Sequence, residues 1–107
     1  MIVCGTLPET VDQDAGLDAE TTAWVEEMTA RGVRKFGSRL RPASSATTLR
    51  GNAGKVLLSD GPFAETKEQI LGFDLLDCAD LDEALEVAGR HPWLRHGVIE
   101  VRPLWPS

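Results

Sequence analysis

The chain has 107 residues, 42% hydrophobic and 26% charged, with a formal net charge of −6. That is enough chain for one domain and too little for two. No apolar run approaches the ~20 residues of a membrane span, and the negative charge argues against a nucleic-acid backbone as the main ligand.

Met1 to Leu7 is apolar and uncharged, the pattern of a central strand, and Pro8 closes it. It lacks the basic leader and long apolar stretch of a secretion signal. Glu9 to Gly16 reads as a polar, acidic loop. Asp18 reads as the N-cap of a helix over 19–31, with Trp24, Val25 and Met28 on one face and Gly32 as the C-cap. Phe36, Ser38 and Leu40 then alternate with Lys35, Gly37 and Arg39, a half-exposed strand ended by Pro42. Thr47 to Arg50, a turn over 51–54 and Lys55 to Ser59 read as a hairpin. Ile70 to Cys78 is a further strand. Asp80 and Glu83 form a capping-box-like pair that opens a second helix. Leu81, Ala84, Leu85 and Ala88 share one face of it, Gly89 weakens its end, and Pro92 stops it. Trp93 to Gly97 is a loop, and Val98 to Leu104 is the last strand.

The order is strand, helix, two or three strands, helix, strand, with no internal repeat. The economical packing is an α+β, ferredoxin-like βαββαβ fold with an extra hairpin, both helices on one face of an antiparallel sheet. One layer of helices leaves the other sheet face uncovered, so a homodimer is expected. Cys4 and Cys78 stand alone in apolar segments and read as buried free thiols, which fits a reducing cytoplasm. His91 and His96 read as surface residues, and no carboxylate stands near them at metal-ligand spacing, so neither a metal nor a cofactor is implied.

The stretch with the strictest physical demands is Ser59 to Phe73. Gly61 can take backbone angles closed to other residues, Pro62 fixes its own φ, and Asp60 suits a turn through its carboxylate. Asp60 is the candidate acid–base residue, because a carboxylate held beside apolar Phe63 and away from water titrates high. Phe63, Glu65, Lys67 and Glu68 are candidate ligand contacts around it. Arg50 on the hairpin joins them, with Glu100 and Arg102, which share a sheet face at i, i+2 spacing. If that face looks into a dimer cavity, these groups form a polar lining in an apolar space, the usual form of a small-molecule site. The competing reading is an arginine–carboxylate network that holds the fold.

Asp60-Gly61-Pro62-Phe63 followed by Ala64-Glu65-Thr66-Lys67-Glu68 resembles the signature of the DGPF proteins, a branch of the YCII-related family. Leu40-Arg41-Pro42, Ala46-Thr47-Thr48-Leu49-Arg50, Leu81-Asp82-Glu83-Ala84-Leu85-Glu86 and Ile99-Glu100-Val101-Arg102-Pro103-Leu104 match the family pattern in order, with Leu49 in place of Val. The resemblance implies a single domain over 1–107 and a dimeric α+β barrel. Some enzymatic relatives are proposed to work through a histidine and an aspartate. The aspartate maps onto Asp60, but the helix over 19–31 holds no histidine, so that pair is not carried over. Some DGPF members are thought to act with sigma factors of the extracytoplasmic-function type. Two functional readings follow: a dimer that binds a small molecule near Asp60, or an accessory regulator that meets a sigma factor through protein contacts.

Overall fold

The computed structural model describes residues 2–5, 15–64 and 69–105, with side chains from residue 19 onward within those ranges. The elements are β1 (Ile2–Gly5), α1 (Ala15–Ala30), β2 (Arg34–Arg39), β3 (Thr47–Asn52), β4 (Lys55–Asp60), β5 (Gln69–Leu76), α2 (Leu81–Gly89) and β6 (Val98–Glu100). Short 3-10 turns occupy Ala43–Ser45 and Pro92–Arg95. Four strands form one sheet in the order β2-β5-β1-β6, while among the described residues β3 and β4 pair only with each other. Every pairing is antiparallel. With the hairpin set aside the order is βαββαβ, consistent with the expected ferredoxin-like arrangement. β1 lies between two partners, as its lack of charge predicts.

The core sits between the helices and one sheet face. Trp24 and Met28 of α1 meet Val87 and Ala88 of α2, with Val33 and Trp93. Leu71, Leu76, Ile99 and Val101 pack against this cluster from the sheet. The Trp24 indole Nε1 donates to the Val87 carbonyl at 3.0 Å, so the one polar atom of a buried ring is satisfied. α1 ends as its sequence demands. Gly32 takes φ +78°, its N–H bonds the Thr29 carbonyl, and the Val33 N–H bonds the Met28 carbonyl. That double bond pattern closes the helix and turns Val33 into the core. α2 opens on Asp80, whose carboxylate accepts from the Glu83 N–H at 2.8 Å, and Glu83 reaches back to the Ala79 N–H.

Two bulges decide which side chains face the helices. Val3 lies opposite Gly72 but Cys4 opposite Ile70, so β5 carries one extra residue there. The extra residue, Leu71, is thereby turned to the helix side with Gly72, while Ile70 stays on the open side. A second irregularity between Arg34 and Phe36 leaves Arg34 on the helix side and Phe36 on the open side.

Several expectations are corrected. The first helix starts at Ala15, so Gly16 and Asp18 lie within its first turns rather than in a loop and at the cap. An aspartate there still suits the positive end of the helix. The hairpin turn is Ala53–Gly54, with Gly51 and Asn52 in the strand. The last strand stops at Glu100, because its partner β1 offers Ile2 to Cys4 to pair with and Pro103 has no N–H to donate. On α2 the buried face is Val87 and Ala88, and Leu81 and Leu85 are about half exposed, 52% and 50%. The stripe at i, i+3, i+4 exists, rotated by about one residue because Val87 docks under Trp24. The remainder of the expected loop over 9–16 lies outside the described residues.

Candidate functional site

Asp60 is the last residue of β4 and is exposed. Just beyond it Gly61 holds φ +93°, a conformation that favours glycine, as the Gly-Pro sequence predicts. The Gly61 N–H bonds the Ala46 carbonyl at 2.7 Å, and Thr48 Oγ1 donates to the Gly61 carbonyl at 2.7 Å. Arg50 Nη2 donates to the Phe63 carbonyl at 3.1 Å. Gln69 Nε2 donates to the Ala64 carbonyl at 3.0 Å. The bonds to Ala46, Thr48 and Arg50 tie the chain after Asp60 to the hairpin side, and the Gln69 bond ties it to β5. Phe63 itself is 77% exposed.

The hairpin register separates Asp60 from Arg50. Thr47 lies opposite Asp60, Leu49 opposite Leu58, and Gly51 opposite Val56. By strand alternation these six share one face. Thr48, Arg50 and Asn52 share the other with Ser59, Leu57 and Lys55. Asp60 therefore stands at the base of an apolar face, and Arg50 faces the opposite way. Its guanidinium braces the loop through the Phe63 carbonyl.

Glu100 and Arg102 are brought together: the Arg102 guanidinium binds the Glu100 carboxylate, although Arg102 lies beyond the end of β6. Glu100 lies in register with Ile2, which lies in register with Phe73, so it stands on the open sheet face. No hydrogen bond or ion pair among the described residues joins this pair to Asp60 or Arg50. Glu65, Lys67 and Glu68 lie outside the described residues.

The open sheet face carries Phe36, Ile70, Leu75 and Val98 at 56%, 52%, 41% and 47% exposure. The Phe36 and Phe73 rings meet there at 5.6 Å. Leu40 and, on the separate hairpin, Leu49, Val56, Leu57 and Leu58 are further exposed apolar side chains. A groove of about 400 Å³ opens on the helix side, lined by Glu20, Ala23, Trp24, Glu27, Arg90 and Pro92. None of the described candidate residues, Arg50, Asp60, Phe63, Glu100 and Arg102, lines it. Its charges are paired, Glu27 with Arg90 across the lining at 3.0 Å and Glu20 with Arg95 beside it at 2.8 Å.

Two buried polar groups escape sequence reasoning. Asp74 is 7% exposed on the helix side of β5, and Arg34 Nε donates to its Oδ1 at 2.7 Å. Burial pushes the Asp74 carboxyl up, against the opposing pull of Arg34. Gly37 lies directly opposite Asp74, and a side chain there would meet both the carboxylate and Arg34. His91, expected at the surface, is 7% exposed. Its ring packs on Trp24 at 4.6 Å, and its Nδ1 accepts from the Trp93 N–H at 3.0 Å, capping the 3-10 turn. Burial lowers its pKa from 6.5 to about 4. The signal was present in His91-Pro92: a side-chain acceptor directly before a proline is a helix-start pattern. His96 is exposed as expected. Cys78 is a free, half-buried thiol, and burial followed by the nearby Glu83 raises its pKa. No group of metal-ligating side chains occurs among the described residues.

The fold is thus a small α+β domain: two helices close one face of an antiparallel sheet, and a hairpin is inserted between its second and third strands. The chain belongs to the YCII-related family, whose domain model matches residues 1–107. It is 44% identical over 106 residues to an uncharacterized protein of Rhizobium meliloti (strain 1021), a match covering 81% of this chain and 84% of that one. No described helix is long and apolar enough to cross a membrane.

Proposed function

We propose that the chain acts as a homodimer, two ferredoxin-like halves closed sheet to sheet as a dimeric α+β barrel, and binds a small polar molecule between them near Asp60. The observation that carries this reading is the open sheet face. It presents Phe36, Ile70, Leu75 and Val98 to solvent with the Glu100–Arg102 pair among them. Apolar walls with a few polar groups are the common composition of a ligand site once a second surface closes it. Asp60 supplies the acid–base or ligand-binding carboxylate. Glu100 and Arg102 orient the ligand, Phe63 walls it, and Arg50 with Glu65, Lys67 and Glu68 completes the polar rim.

Sedimentation and a thermal-shift screen against a metabolite library test this together. The expected mass is twice 11.6 kDa. Compounds that raise the melting temperature of the wild type should lose that effect in Asp60→Ala. A monomer at all concentrations refutes the cavity, and hits that Asp60→Ala leaves intact refute the assigned position.

A further inference from the structure

β2 is an edge of the main sheet. β5 lies on one side of it, and among the described residues no strand pairs with the other side. The backbone N–H and C=O groups along such an edge are a template for a further strand. The opposite edge, β6, has three residues and soon meets Pro103. A short edge next to a proline takes up a strand poorly. β2 is longer. Past the irregularity between Arg34 and Phe36 its register runs unbroken to Arg39, and the Leu40 N–H continues it to the Leu71 carbonyl at 2.8 Å. Residues 36–40 thus offer about the length of an ordinary strand.

The edge is also basic. Residues 34–41 hold Arg34, Lys35, Arg39 and Arg41 and no acidic side chain, in a chain of net charge −6. Arg34 is engaged by buried Asp74. Lys35, Arg39 and Arg41 are exposed, and among the described residues Lys35 and Arg41 enter no ion pair. At physiological salt charges act over about 8 Å, so a segment laid on this edge meets these cations rather than the net charge of the whole chain. Antiparallel pairing of two copies of this edge about Ser38 would set Lys35 opposite Arg41 at both ends. Like charges directly opposite each other disfavour pairing. The charges that keep a second copy off the edge attract an acidic strand.

We propose that the free edge of β2 docks an acidic extended segment of another protein, which adds to the four-stranded sheet as a further strand beyond β2. Its backbone pairs with residues 36–40. Phe36 and Ser38 point to the open sheet face and Leu40 continues that alternation, with Phe36 and Leu40 56% and 45% exposed. The residues of the segment that land beside these two are apolar. Carboxylates near its two ends meet Lys35 and Arg41. A nucleic-acid strand fits this edge less well, because phosphates only accept hydrogen bonds, whereas a strand edge presents donors and acceptors in alternation. Asp60 takes no part in this contact, so the ligand site and the docking edge fail separately.

Three labelled peptides of about ten residues, followed by fluorescence anisotropy and amide exchange, test the docking edge. The first alternates glutamate with valine, the second is the same peptide with a central proline, and the third alternates lysine with valine. The glutamate peptide should bind and should slow exchange at the amides of residues 36–40 but not in β6. The proline and lysine peptides should bind about tenfold more weakly or worse. Lys35→Glu with Arg41→Glu should weaken the glutamate peptide about tenfold and bring the lysine peptide to a comparable affinity. Equal binding of the proline peptide, or protection placed elsewhere, means that charge alone holds the peptide and overturns strand addition. No binding up to millimolar peptide, or equal competition by a single-stranded oligonucleotide, overturns an acidic protein segment as the occupant. Protection of residues 36–40 in the free protein that grows with its concentration puts a second copy there and overturns it as well. Should the double variant fail to fold, the wild-type exchange pattern and the proline comparison decide alone.

Discussion

The helix layer and the hairpin arm are built from similar residues and meet opposite fates. Under the helices, Met28 and Val87 are fully enclosed and even polar Asp74 and His91 are buried, each with a partner. On the arm, Leu49, Val56 and Leu58 stand in solvent although their cross-strand register is regular. Hydrophobic character does not by itself make a core. A side chain is enclosed only where a second layer faces it, and the chain has one layer of helices for two sheet faces and an arm.

Truncating the two regions equally should separate them most sharply. Met28→Ala removes a fully enclosed side chain, and a loss of about 2–5 kcal/mol is expected in urea unfolding. Leu58→Ala, measured at low protein concentration, should stay within about 0.5 kcal/mol of wild type. Comparable losses at both positions would mean the arm is packed within its own chain.

Acid should weaken the helix layer through His91. The folded protein holds this ring neutral down to about 4, whereas the unfolded chain protonates it near 6.5. Its contribution is complete above 6.5 and is lost as pH falls from there to about 4. The shift bounds the loss at about 3 kcal/mol. Asp74 works in the opposite sense, since its raised carboxyl makes the folded state gain stability as pH falls. Comparison with His91→Asn isolates the histidine, because asparagine keeps an acceptor for the Trp93 N–H and does not titrate. A variant with the same urea-midpoint pH profile as wild type would remove His91 as the cause.

Gly37→Ala probes how tightly the sheet closes over Asp74. The added carbon would lie 2.6 Å from the Phe73 carbonyl oxygen and 2.7 Å from Arg34 Nη2, and would press on the Asp74 carboxylate. Overpacking of that kind costs about 1–3 kcal/mol. A neutral result would show that Arg34 and Asp74 give way easily.

The smallest effect belongs to the arm. Ala53 holds φ +51° and Gly54 φ +82°, the two positive angles of a tight hairpin turn. Asparagine tolerates this conformation better than alanine, so Ala53→Asn should slow amide exchange in β3 and β4 by about 0.5 kcal/mol. Exchange in the core strands should not change. A change spread through the whole sheet would join the arm to the main cooperative unit.

Local chemistry made much of the fold legible in the chain. The Trp24–Met28 stripe, the Gly32 stop, the Asp80–Glu83 cap, the paired strands of the hairpin and the special conformation at Gly61 each depend on residues a few positions apart. Each appears where sequence spacing indicated. Long-range packing decided the rest. Which face of α2 is buried depends on Trp24, 63 residues from the Val87 carbonyl it bonds. The burial of Asp74 depends on Arg34 and a bulge in another strand, and that of His91 on the ring of Trp24. The opposite facing of Asp60 and Arg50 follows from hairpin register, because one step of register turns every side chain over. Spacing along a chain specifies what a segment can form, but only the surfaces that meet it determine which of its faces is left to bind anything.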